Sequence, residues 1–151
     1  MHDSRTIANR FLALARIKAG GDTLTPMQVL KLVYIAHGWM LGLYGRPLIK
    51  DDVQAWQYGP VIPTLYNAMR GYGAGVVTQD IRAPSNDNLD ENEDDIVQQV
   101  YNLYGDKTGP ALSRLTHAAG TPWALTYEPG SFGLVISTDN IEDHYRRLAN
   151  K

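Results

Sequence analysis

The sequence has no cysteine. That removes disulfides, thiol nucleophiles and thiolate metal sites, and it fits a reducing compartment. Long apolar runs are also missing. The longest apolar segment, Val29 to Leu43, is interrupted by Lys31, His37, Gly38 and Gly42, and it falls short of the roughly 20 residues that span a bilayer. It reads as a buried helix, and no membrane partner is expected. Charge of one sign is scarce: 14 basic and 16 acidic residues leave a formal charge of −2, too weak a field to gather nucleic-acid phosphates without a local basic patch. The opening MHDSRTIANR lacks the basic-then-apolar order of a secretion signal, so a cytoplasmic location is expected. The four histidines, His2, His37, His117 and His144, show no short ligand spacing. Neither metal nor cofactor is expected.

The chain of 151 residues, 44% of them apolar, is long enough to build one core without staples, and one domain over 1–151 is expected. Helical periodicity runs over Arg5 to Lys18, with Asp3 or Ser4 as cap and Gly20-Gly21 as stop. Thr25 and Gln28 form a capping box around Pro26, predicting a helix from Pro26 to Tyr44. That helix is apolar nearly all round except for a row of Gln28, Lys31, Ile35, Gly38 and Gly42. The two glycines weaken an isolated helix, so they imply close approach of another helix or a partner chain.

Further helices are expected near Pro63 to Tyr72, from the acidic start Glu93–Asp95 through Tyr104, from Pro110 to about Ala118, and from Asp139 to Asn150. Extended segments are expected at Val53–Tyr58, Val76–Ile81 and Leu134–Ile136, with Gly59-Pro60 as a turn. The tract Arg82–Asp95, holding six acidic residues and little apolar content, reads as an exposed, mobile acidic loop. The predicted fold is mainly α (α+β): a compact bundle of about six helices with a small antiparallel β element.

Motifs that carry chemistry are thin. GYGAGV places Val76 where a dinucleotide loop needs its third glycine, and GDKTG lacks the phosphate loop's glycine before Lys107. A calcium loop starting at Asp90 would have Asp95 in place of the turn glycine and Tyr101 in place of the closing glutamate. Ser113 and His117 stand one helical turn apart, with Asp143 available in principle as a third member, so a small hydrolase is one reading. No nucleophile elbow flanks Ser113, and His117 also suits a helix C-terminus. A nucleic-acid-binding regulator of its own operon is another reading, but no helix carries clustered basic residues.

Three separated blocks point elsewhere. Leu30, Lys31, Leu32, Tyr34, Ala36, Gly38, Trp39, Leu41, Tyr44, Gly45, Arg46, Pro47 and Leu48 form the first, with Val33 departing slightly; Trp56, Tyr58, Gly59, Pro60, Val61, Pro63 and Tyr66 form the second; Leu112, Ser113, Thr116, His117, Pro122 and Trp123 form the third. In this order they resemble the SocA-like, or Panacea, antitoxin family found in phages, prophages and bacteria. The acidic tract and the last helix lie outside the blocks. The resemblance implies a cytoplasmic, non-enzymatic antitoxin that neutralises a toxin encoded beside it by direct contact. A related member hands its toxin to a AAA+ protease, so holding and delivering both stand as readings.

On that footing the stretch AWQYGPVIPTLY is expected to form a stiff ledge, with Pro60 and Pro63 restraining the backbone and Tyr58 or Tyr66 presenting a ring. Lys31 and His117 are expected in the same groove, and Trp123 as a further contact. The competing expectation assigns these residues to internal packing. The acidic tract is a second expected surface, steering a basic toxin.

Overall fold

A computed structural model describes residues 1–85 and 87–151. Seven α-helices occur among the described residues: α1 (Ser4–Lys18), α2 (Pro26–Tyr44), α3 (Pro63–Met69), α4 (Glu91–Tyr104), α5 (Gly109–Thr116), α6 (Pro122–Thr126) and α7 (Thr138–Ala149). A 3-10 turn, Arg70–Tyr72, extends α3. The predicted mainly α architecture is therefore present.

Helix α2 is the axle. The expected capping box closes its first turn: Gln28 N–H donates to Thr25 Oγ1 at 3.3 Å and Thr25 N–H donates to Gln28 Oε1 at 2.9 Å. Its last turn ends on Gly45 at φ +68°, a left-handed conformation that glycine adopts without a Cβ penalty. Helices α1, α3, α4, α5 and α7 all pack against it. Along the small-residue row, Gly38 and Gly42 admit α7, with Tyr145 lying over both glycines and its ring edge-on to Trp39 at 5.2 Å. The glycines thus serve packing within the chain. His37 is buried beneath the segment that leaves α2, where its Nδ1 accepts from the N–H groups of Leu48 and Ile49 at 3.2 and 3.3 Å. Burial depresses its pKa to about 4, so the ring is neutral.

A three-stranded antiparallel sheet caps one end, in the order β2-β1-β3: β1 is Gln54–Trp56, β2 Gly59–Val61 and β3 Leu134–Val135. Two strand expectations are corrected. The reversal occupies Gln57 and Tyr58, because Trp56 pairs with Gly59 and Ala55 with Pro60; Gly59-Pro60 is strand instead of turn. Proline is tolerated there because β2 is an edge strand. Conversely, Val76–Ile81 joins no sheet. Val77 N–H donates to Leu24 O at 2.8 Å, and the Asn9 side-chain amide meets both backbone groups of Ile81 at 2.7 Å. One asparagine does for this extended segment what a neighbouring strand would have done.

The acidic tract is also shorter as a loop than expected. Helix α4 starts at Glu91, two residues before the predicted acidic start, on a second capping box between Asp90 and Glu93. Glu93 is buried and bonds His2 Nε2 at 2.9 Å. Asp94 pairs with Arg10 at 2.6 Å and Asp90 with Arg46 at 2.9 Å. Three of the six acids are thereby committed inside the chain, and Asp87, Glu91 and Asp95 are exposed. Asn86 of that tract lies outside the described residues. A seventh helix was hidden because Gly120 and Pro122 read as a stop, whereas Thr121 caps and Pro122 opens α6.

Candidate functional site

Three helices each send one side chain to a carbonyl of the β1–β2 hairpin. Trp123 Nε1 of α6 donates to Trp56 O at 2.6 Å, Ser113 Oγ of α5 donates to Tyr58 O at 2.8 Å, and Lys31 Nζ of α2 donates to Pro60 O at 2.8 Å. The donors come from the first and third sequence blocks and the acceptors from the second. Each satisfied carbonyl removes a freedom of the hairpin, and the three are 92 residues apart at the donor ends, Lys31 to Trp123. Beside the prolines expected to restrain this ledge, these three donors tie it to α2, α5 and α6.

Aromatic rings cover the outer side. Trp56 meets Tyr66 edge-on at 5.1 Å and Phe132 at 5.1 Å, and its Nε1 donates to Gln54 Oε1 at 2.9 Å. Tyr58 is 72% exposed, Tyr66 38% and Phe132 78%. Exposed rings held by a fixed framework are the usual anchors of protein contacts. Between Trp56, Tyr58, Tyr66 and α2 lies a groove of about 390 Å³ whose lining also includes Met27, Leu30, Lys31 and Arg70.

Lys31 is only 3% exposed, and its bond to Pro60 O is the one hydrogen bond its ammonium makes among the described residues. Burial lowers its pKa to about 8. Gly59 is required beside it: at φ +119° it holds a conformation L side chains rarely adopt, and a Cβ there would sit 2.9 Å from Lys31 Nζ and 3.7 Å from His117 Nδ1.

The expected site residues therefore divide. Lys31, Tyr58 and Tyr66 line the groove. Pro60 is buried in β2. His117 does not share that lining; it sits half-buried behind the hairpin, edge-on to Trp123 at 5.4 Å. Trp123 is half-buried and stacks on Tyr127 at 4.7 Å. Sequence reading missed Phe132 and Met27. A phenylalanine between Ser131 and Gly133 in a polar stretch was the available signal for the first.

The Ser113–His117 relay is not assembled. The serine proton goes to Tyr58 O, its Oγ is 3.4 Å from His117 Nδ1, and Asp143 pairs with Arg147 on its own helix. Ser113 is buried and fastens the hairpin instead, and no carboxylate bonds His117 among the described residues.

Comparison with known proteins bears on the same elements. The profile of the family described as "Antitoxin SocA-like, Panacea domain" matches residues 29–124, a span that holds the hairpin and all three of its donors. Antitoxin SocA of Caulobacter vibrioides (strain NA1000 / CB15N) is 30% identical over 159 aligned residues, covering 95% of this chain and 82% of the relative. No solved structure matches the chain.

Proposed function

Because the chain belongs to the SocA-like antitoxin family with its Panacea domain, which supports an antitoxin role, we propose that it neutralises a cognate toxin by direct contact through the groove and the rings around it. The observation that carries this reading is the hairpin held at three carbonyls by side chains of α2, α5 and α6. A framework fixed before the partner arrives spares the entropy that ordering a loop would cost on binding.

Alanine at Tyr58, where the ring is mostly in solvent, is expected to leave the fold intact and weaken capture of the protein encoded by the adjacent reading frame about tenfold, the effect of losing one interface anchor. Tyr66→Ala should weaken it less, since part of that ring already packs on Trp56. Titration of purified proteins, with circular dichroism as the check on folding, tests both. Wild-type affinity in both variants would place the contact elsewhere. For the finer question of delivery to a AAA+ protease, pulse-chase of the toxin distinguishes the outcomes: a half-life shortened by the chain means hand-over, and growth rescue at unchanged half-life means holding.

A further inference from the structure

We propose that the groove over Lys31 takes an apolar segment of the partner protein carrying a glutamate or aspartate side chain, whose carboxylate seats on the Lys31 ammonium. The inference rests on the antitoxin reading and names the chemistry of the bound segment.

An ammonium has three donors, and Lys31 spends one of them on Pro60 O. No carboxylate pairs with it among the described residues. The other cation of the lining is Arg70, and the lining has no acid. A cation withdrawn from water without a counter-charge destabilises the free protein, and an apolar residue at the same place would pack at less cost. What recovers that loss is an anion arriving with the partner. The walls, Met27, Leu30, Val61 and Met69 with the rings of Trp56, Tyr58 and Tyr66, are apolar, so the anion comes on a segment whose neighbouring side chains are apolar too. A space of about 390 Å³ accommodates a few side chains rather than a folded backbone, so the carboxylate arrives on a side-chain stem.

The ammonium is also held in place. The Pro60 carbonyl fixes Nζ from one side, and a Cβ on residue 59 would crowd it at 2.9 Å. The titratable and charged groups around it are His117, which caps the C-terminus of α5, Tyr58 at the hairpin tip, and Tyr66 and Arg70 from α3 and the turn that follows it. A carboxylate bound to Lys31 stabilises its charged form and raises its pKa from the free value of about 8. Binding therefore takes up protons around pH 8 to 9, and affinity falls as pH rises through that range, by up to tenfold per pH unit.

The experiment is calorimetric titration of the adjacent-frame protein into the full chain, at pH 7 to 9.5 and in buffers of different ionisation heat. Expected results are net proton uptake by the wild type near pH 8.5, at least tenfold weaker binding by Lys31→Met and by Lys31→Gln, and loss of proton uptake in both. Both variants also disturb the tie to Pro60 O, so circular dichroism checks their folding, and if either variant fails to fold, wild-type proton uptake still decides. Unchanged affinity in a folded Lys31→Met variant, or no proton uptake by the wild type, overturns the inference while leaving the antitoxin reading in place if Tyr58→Ala still weakens binding. If wild type shows no binding at all, direct neutralisation itself fails. Proton uptake that survives replacement of every groove-facing acid in the partner but vanishes when its C-terminus is amidated makes the ligand a chain end and refutes the side-chain assignment. Sedimentation showing a dimer that Lys31→Met converts to monomer makes the occupant a second copy and refutes it also.

Discussion

Gly42→Val is expected to push α7 off α2 and cost about 3 kcal/mol, the upper part of the range for overfilling a packed interface. A Cβ at Gly42 would stand 2.8 Å from the Tyr145 carbonyl carbon and 2.9 Å from the Arg146 nitrogen. Both are backbone atoms, so no rotamer change relieves the collision. Even alanine, which gains about 1 kcal/mol of helix propensity over glycine, should come out destabilising. Gly38 differs in kind, because there the added atom meets the Tyr145 ring. Gly38→Ala should therefore be partly rescued by Tyr145→Ala, while Gly42→Ala should not. Gly21→Ala, with nothing within 4 Å of the new atom, is the neutral control. Urea unfolding of these variants measures the differences. A Gly42→Val protein as stable as wild type would mean the two helices are not held as close as described.

Acidification should expose the second large effect. His37 folds neutral because its surroundings exclude water, which moves its pKa from 6.5 down to about 4, and its Nδ1 accepts two backbone N–H groups. The unfolded chain therefore binds a proton that the folded one refuses between those values, and stability rises with pH across that window. It is fully present above about pH 6.5 and declines as pH falls toward 4, by roughly 3 kcal/mol for a shift of this size. His144, lowered first by burial and then by Arg147 and Lys151, acts in the same direction. Asp3, lowered chiefly by its bond to Arg5, releases its contribution only further down, below its ordinary 3.8. His37→Asn keeps an acceptor near the Nδ1 position, and its unfolding free energy should lose most of the slope between pH 6.5 and 4.5. An unchanged slope would assign the acid sensitivity elsewhere.

Local chemistry was legible in the sequence and long-range pairing was not. The start and end of α2 follow from Thr25, Pro26, Gln28 and Gly45, all within one turn of the boundaries they set. The glycine row announced a close approach, but naming α7 as the neighbour required Tyr145, about a hundred residues away. Strand content failed where a side chain replaced a strand, as Asn9 does at Ile81, and where proline sat in an edge strand, as at Pro60. At the site, Lys31, Tyr58 and Tyr66 were identified as candidates, yet their division of labour with Ser113 and Trp123 depends on which carbonyl each donor side chain reaches. No periodicity encodes that.

The hairpin's attachment has a bearing on how long such a molecule stays competent. Its grip on Trp56 O comes from Trp123, and the last secondary-structure elements, β3 and α7, close over the same region from the C-terminal side. Digestion that proceeds inward from the C-terminal side of α7 would strip those elements and then Trp123, freeing that carbonyl while residues 54–61 were still uncut. The hairpin would go slack early in degradation, so on the proposed reading the capacity to hold a partner would expire well before the polypeptide itself disappears.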